Sequence, residues 1–555
     1  MWRGAAVEQE HQPAHPGHGC RNPVVCPYAG PAGECSERMR DLDLLRLERR
    51  VGLMLAPLAE MPGAAVGVAR DGMLLLRRAA GLASLDLHAP IGVTTTFRIA
   101  SVSKQFTCAA LMLLAREGRL SLEDPLGRHL PWLPAPLSAV TLDQAMRNAG
   151  GLRDIFDLAR LGGADLSTPL TEAELDGLIA RQRWLNFAAG SRYLYSNTGF
   201  RLLGQVVEQA SRQSLAAFLE RHIFSPLGMT RTRHTPDLGS PAPGLATGYL
   251  PDAGGWRRAP HAFPLGGEGG LVSGVEDLAL WARALSVGSL EPGLEPFLTA
   301  TEPFSHGAMN RYARGLEVTP WRGFTTISHG GLWPGYKTAF LRVPARRLTV
   351  IVITNNGALD AGHIALDVLE AALQGDPDLL PAPAPLPATG MAGSWLCEEA
   401  GLSFDIAGDI PGGLTLTMHG VPMALVPGED GRHVARRGGF PLHAAPPRGD
   451  AMEVEFDAGT VLAFRRAERA AVPSLDGSWH CAELGAVWEI EGEAVRATGP
   501  CRSAGPWRLS ALSPRHLRVH MPGVLYEAWA DAVLSADGRS LTVNSGRARG
   551  LVFSR

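Results

Sequence analysis

The sequence has no long apolar run. Nowhere do about eighteen or more apolar residues follow one another, so no transmembrane span is expected. The stretch MWRGAAVEQEHQPAHPGHGC lacks the apolar centre of a secretory signal, and a cytoplasmic location is the resulting expectation. Net charge is nearly absent, −3 over 555 residues, and no Lys/Arg block stands out. That removes the bulk attraction that nucleic acid or an anionic membrane surface would need, so neither is expected as a partner. Lysine is scarce, and arginine greatly outnumbers it. The cysteines are few and odd in number, and Cys108 sits in an apolar helix, which excludes a disulfide framework. His15, His18, Cys20, Cys26 and Cys35 follow no zinc spacing, and neither do His306, His363 and the scattered carboxylates. No metal and no organic cofactor is expected.

What is present is a length and an apolar content, 45%, that suit a folded chain of several domains. Residues 1–38 are rich in Pro, Gly and His without periodicity. They read as an unstructured tail, or as a prelude to a true start at Met39. A helical period runs from Met39 to Glu60. AAVGVARDGMLLLRRAAG reads as a hairpin around Asp71-Gly72. Helices and loops follow to about residue 320. FTTISHGG and AFLRVPARRLTVIVITNN are strand-like, and HIALDVLEAALQG reads as a helix stopped by Gly375. Strands therefore lie at both ends of 39–375 with helices between, an α/β (α+β) arrangement in which the first and last strands share one antiparallel sheet.

At DPDLLPAPAPLPATG, residues 376–390, five prolines fall within eleven residues and make a stiff linker. Beyond it come short strands separated by turn residues, the pattern of small antiparallel β-barrels. GSWLCEEAGLSFDIAG, from Gly393, returns as GSWHCAELGAVWEIEG, from Gly477, with eight of sixteen positions identical. Two related β-barrel domains are expected, 391–468 and 473–555, each anchored in its core by a tryptophan, Trp395 or Trp479.

The chemistry centres on RIASVSKQFTCAALMLLAREG. A serine before an apolar helix is usually a cap. Lys104, however, opposes the helix dipole in the first turn and shares a face with Ser101. A serine hydroxyl needs a neighbouring base to become a nucleophile, and a lysine against an apolar wall has a lowered pKa. The backbone N–H of Ser101 offers half of an oxyanion site. Two companions follow. Tyr195-Ser196-Asn197 supplies a phenol as general base and an amide to hold the lysine and a substrate carbonyl. His329-Gly330-Gly331 ends a strand, where the glycines let a substrate lie along the edge and Leu332 N–H completes the oxyanion site.

Ser-x-x-Lys, Tyr-x-Asn and His-x-Gly in this order resemble the penicillin-recognising serine enzymes, in the branch of class C β-lactamases, esterases and D-aminopeptidases. SVSKQFTCA, GLRD, YSNTGFRLLGQVVEQ, SHGGLWPG and the late RARG are similar to bacterial D-aminopeptidases, over roughly residues 45–555. The resemblance implies a β-lactamase/transpeptidase-like catalytic domain followed by two β-barrels. It implies acyl-enzyme chemistry with Ser101 as nucleophile and Tyr195, assisted by Lys104, as base. Asn197 and His329 would orient a small peptide, amide or ester carrying an N-terminal D-amino acid. It also implies a homodimer. The alternatives are an esterase or β-lactamase-like hydrolase of the same superfamily, and a non-catalytic penicillin-binding peptide sensor.

His329 in place of a lysine removes a fixed positive charge, which favours amides, esters and amino-terminal substrates over C-terminal carboxylates. One region departs from the family. Its last β domain sends an aspartate-bearing loop into the cleft to receive the substrate amine. The corresponding Leu517 to Val533 is shorter here, and Glu527 is the nearest carboxylate before Asp531, read more readily as a solvated strand residue than as its substitute. Gly331, Leu332 and Glu527 are thus the expected substrate-binding positions.

Overall fold

The hairpin folds where Asp71-Gly72 asks for it. Both residues take left-handed φ, 54° and 73°, the twist a two-residue turn needs. It joins β1 (Ala64–Arg70) to β2 (Met73–Ala80). Late in the chain come β3 (Glu317–Trp321), β4 (Phe324–Trp333), β5 (Tyr336–Val343) and β6 (Leu348–Thr354). The six make one antiparallel sheet in the order β3-β4-β5-β6-β1-β2. First and last strands meet as expected, with Ala64 opposite Thr354 and Arg70 opposite Leu348. Every residue of β6, LTVIVIT, is buried, because the sheet is covered on both faces. The helices α1 (Leu44–Leu55) and α6 (Ala361–Leu373) pack together against it. On the other side, α5 (Val275–Val287) lies so close that a Cβ on Gly67 would meet Val275.

Between the two halves of the sheet run the helices α2 (Lys104–Arg116), α3 (Ile155–Leu161) and α4 (Asn197–Ser211). This computed structural model describes residues 43–235, 240–410, 413–428, 430–436, 442–456, 459–500 and 502–555. The expected tail, 1–38, lies outside the described residues. The helix expected from Met39 runs from Leu44 and ends in a 3-10 turn, Ala56–Leu58, at Pro57. Among the described helices none is long and apolar enough to cross a membrane.

After the proline-rich stretch come two closed, eight-stranded antiparallel barrels, spanning 393–466 and 477–554. The sequence repeat has a physical meaning. Trp395 and Trp479 are both fully buried. Each donates its indole N–H to the carbonyl four residues earlier, Met391 at 2.9 Å and Leu475 at 2.8 Å. The second barrel is mounted on α3. Leu158 and Leu161 join its core, and Trp488 donates to Leu161 O.

A buried polar network joins the barrels. Asp531 of the second is fully buried and accepts from Ser403 N–H and Ser403 Oγ of the first, and from His516 Nε2 at 2.9 Å. Against the effect of burial, the His516 bond, with His419 and Arg518 nearby, holds its carboxyl below the usual range. Removing one member of such a network strands the others without solvent. Asp531→Ala should therefore cost about 3–5 kcal/mol. Chemical denaturation checks this, and an unchanged midpoint would exclude the network as the barrel–barrel clamp.

Candidate active site

Neither serine of SVSK caps its helix. A 3-10 turn, Ala100–Ser103, runs straight into α2, and Ser103 Oγ accepts instead from Leu271 N–H. Ala100 takes φ 47°, a left-handed conformation disfavoured for any residue with a Cβ. Ser101 retains partial exposure while Lys104 has none. The Lys104 side chain reaches back to Ser101 Oγ at 3.1 Å. It also donates to Asn197 Oδ1 at 2.9 Å and to the backbone carbonyl of Glu268 at 2.6 Å. Three acceptors match the three N–H bonds of an ammonium. Burial nevertheless lowers its pKa to about 7, against the opposing pull of the Glu268 and Asp154 carboxylates.

Asn197 opens α4 and is oriented by what it touches. Its Oδ1 faces the lysine, and its Nδ2 and backbone N–H both donate to Asp154 Oδ2, at 2.9 and 2.7 Å. Asp154 caps α3 and meets Arg547 of the second barrel at 3.3 Å. In sequence Arg153-Asp154 reads equally as a structural ion pair or a wall of the cleft; in the structure Arg153 pairs with Glu483. Tyr195 packs its ring 4.8 Å from Lys104 Nζ and 5.8 Å from the Arg547 guanidinium. Burial pushes its phenol well above its ordinary pKa, opposed by a hydrogen bond to Ser101 and by Arg547. It is a proton donor in the resting site.

His329 lies on β4. Its Nδ1 is 2.6 Å from Gly330 O, which can only accept, so that nitrogen carries the proton and Nε2 accepts from Tyr312 at 2.9 Å. Burial, then the charge of Lys104, lower its pKa to about 3, so the ring is neutral. Pairing between β3 and β4 stops at Ser328. Beyond it, Gly330 and Leu332 are exposed along the edge, Leu332 to 48%. Gly331 faces inward. A Cβ there would lie 2.2 Å from Ile99 O, two residues before Ser101, so the strand edge abuts the serine turn.

Ser101, Lys104, Tyr195 and Asn197 thus gather in one cluster through direct contacts. His329, whose pKa is lowered by the charge of Lys104, faces it, and Gly331 abuts the serine turn. Glu527 does not join them. It is 58% exposed, lies just before a strand and pairs with His520 and Arg508 of its own barrel. Among the described residues no group of His, Cys, Asp or Glu is arranged to hold a metal ion.

The sequence reading gave no role to Tyr312 or Glu268, and none to Asp154 beyond an ion pair with Arg153 or a wall of the cleft. Glu268 had a signal, a lone carboxylate in LGGEGG, now fully buried beside the lysine. Arg547 lay in the RARG stretch, but its approach to Tyr195 depends on barrel docking.

A family profile described as Beta-lactamase matches residues 53–373. The chain belongs to the beta-lactamase family. It is 30% identical to a D-aminopeptidase of Cereibacter sphaeroides over 483 residues, 85% of this chain and 90% of that one. It is 32% identical to a D-aminopeptidase of Gluconobacter oxydans, covering 70% of this chain and 72% of that one. The octameric penicillin-binding protein homologue from Pyrococcus abyssi shares the fold, with TM-score 0.52, 18% identity and 93% and 100% coverage. So does the D-amino acid amidase from Ochrobactrum anthropi, with TM-score 0.50, 22% identity and 61% and 99% coverage.

In this beta-lactamase family member the cost of burying Lys104 has a measurable sign. Its pKa falls from above 10 in the unfolded chain to about 7 in the fold. The unfolded chain therefore binds the extra proton between those values, and stability falls as pH drops from about 10 to 7. Lys104→Met removes that slope, at most ~1.4 kcal/mol per pH unit. Its stability relative to wild type should improve as pH is lowered through this window. Parallel pH-dependence of the two would show that the lysine is not buried as described.

Proposed function

We propose that the chain is a serine hydrolase acting through an acyl-enzyme, an aminopeptidase that releases N-terminal D-amino acids from peptides, amides or esters. The observation that carries this is the 3.1 Å contact between Ser101 Oγ and a fully buried Lys104. The D-aminopeptidases it resembles supply the substrate class. We read 39–375 as the catalytic domain, 376–390 as linker, and 391–468 and 473–555 as accessory barrels.

The protonation states refine the expected division of labour. Lys104 is the group whose pKa lies near neutrality, so its free amine takes the Ser101 proton as the oxygen attacks the carbonyl. Tyr195, holding its proton, is set to pass one to the leaving amine, and Lys104 then restores it. The N–H groups of Ser101 and Leu332 receive the oxyanion. Asn197 and neutral His329 orient the substrate, and water entering by the same route releases the acyl group.

A second reading has one specific observation in its favour. Glu527 pairs within its barrel, which removes the carboxylate assigned to a substrate ammonium and favours esters or blocked amides. The family resemblance supports a homodimer, which light scattering checks. Free, buried Cys108, Cys397 and Cys481 fit a reducing, cytoplasmic setting.

Ser101→Ala should abolish turnover, a loss of at least about 10³-fold, with an unchanged circular dichroism spectrum. Full activity in that variant would sink the mechanism. D-alanine p-nitroanilide should be cleaved in preference to its L-isomer and lose reactivity on N-acetylation; a preference for p-nitrophenyl esters with no enantiomer or amine effect selects the second reading. Because Lys104 must lose its proton to act, kcat/KM should rise with pH through about 7. A flat profile from pH 5 to 9 would remove the lysine from the role of base.

A further inference from the structure

Two carboxylates act on the buried Lys104 amine, and each is met by a guanidinium. Glu268 lies 3.9 Å from Arg201, which belongs to α4. Asp154 lies 3.3 Å from Arg547, which belongs to the second barrel. The Arg547 guanidinium also lies 3.6 Å from Asp157 and 5.8 Å from the Tyr195 ring, with Tyr526 nearby. Tyr195, Cys108 and neutral His329 are the other titratable groups around the amine.

The side chain of Arg547 is not what docks the barrel. Its backbone does that. Its N–H donates to Asp157 Oδ2 at 2.7 Å, and its carbonyl accepts from Asp154 N–H and Asn186 Nδ2, both at 3.0 Å. Leu158 and Leu161 of α3 stand in the barrel core beside these bonds. None of this depends on which side chain residue 547 carries. The guanidinium is left to act by its charge, and that charge meets Asp154.

Asp154 is fully buried, and its Oδ2 takes two N–H bonds from Asn197, whose Oδ1 holds Lys104. A carboxylate in such a place needs a countercharge. Arg547 provides it. Without Arg547, Lys104 can provide it by keeping its proton. The Arg547 charge also opposes a second positive charge at the amine directly. Both effects favour the free amine.

We propose that Arg547 is a positioning residue for the serine chemistry, a fixed cation that the second barrel places against Asp154 to keep the Lys104 amine available as a base. This rests on the acyl-enzyme reading of Ser101. Arg547 acts through Asp154 and Lys104, so its removal should move a pH profile and not merely lower a rate.

The rate at which a fluorophosphonate labels Ser101 in the full chain, followed by mass spectrometry from pH 5 to 10, tests it. Lys104 takes the hydroxyl proton as Oγ bonds phosphorus and fluoride leaves. Wild type should gain reactivity as pH rises through about 7. In Arg547→Met and Arg547→Gln the rise should move up by about one pH unit or more. Arg547→Lys keeps the charge and should return the rise to its wild-type position. Glutamine keeps hydrogen-bond donors and methionine keeps bulk, so either variant serves if circular dichroism shows the other unfolded. A lower rate with an unmoved rise would make Arg547 a structural contact and overturn the proposal. So would Arg547→Lys behaving as Arg547→Met, or loss of folding in both neutral variants, because the backbone contacts would then not suffice. Wild type left unlabelled at Ser101 would remove the acyl-enzyme reading and this proposal together, whereas labelled wild type with an unmoved rise in the variants removes this proposal alone.

Discussion

The site depends on an amine taken out of water. The chain has two lysines in all, Lys104 and Lys337, and one of them is sealed inside the protein. An isolated ammonium in such a place is heavily penalised, and the group answers by loosening its proton. The surroundings keep that loosening within bounds. Three oxygen acceptors, two carboxylates and the ring faces of Tyr195 and Phe200 hold the charge, while burial and the charge of Arg547 oppose it. The outcome is a base near neutrality beside a serine whose turn is bent through an awkward alanine. Strain at Ala100 and burial of Lys104 are both unfavourable locally, and a large, continuous core sustains them.

The second barrel is more than an appendage to that core. Asp154 donates its N–H to Arg547 O and receives the Arg547 guanidinium in return, so the contact is closed from both sides. From there the connection runs through Asn197 to Lys104 without a gap. The electrostatics of the amine are thus set jointly by α2, by α3 and by a segment of the barrel. Asp157 strengthens the weld by accepting from Arg547 N–H.

Much of this was legible in the residues themselves. The Asp71-Gly72 turn, the apolar run of β6 and the repeated Gly-Ser-Trp each carry a local physical rule, and the sheet and both barrels followed from them. Lys104 could be singled out because a cation in the first turn of a helix is misplaced. Tyr312 could not be. Its one distinctive act is to donate to His329, which depends on a loop lying flat against α2: a Cβ on Gly315 would strike the backbone at Lys104–Gln105. Glu527 was the opposite case, a carboxylate chosen by its place in the sequence, which in the fold pairs with His520. The resting proton of Tyr195 was hidden as well, because burial decides it and burial is a property of the assembled fold.

The docking of Arg547 also has a meaning in time. Ser101 leaves the ribosome long before Arg547 is made, and domains fold as they emerge. An early fold of the catalytic segment would hold its serine, lysine and tyrosine, yet Asp154 would stand without its cation and Tyr195 without its cover. The barrel that arrives last completes the charge pattern of the domain that arrives first. The charge pattern around Ser101 and Lys104 is therefore complete only once the far barrel has closed and docked.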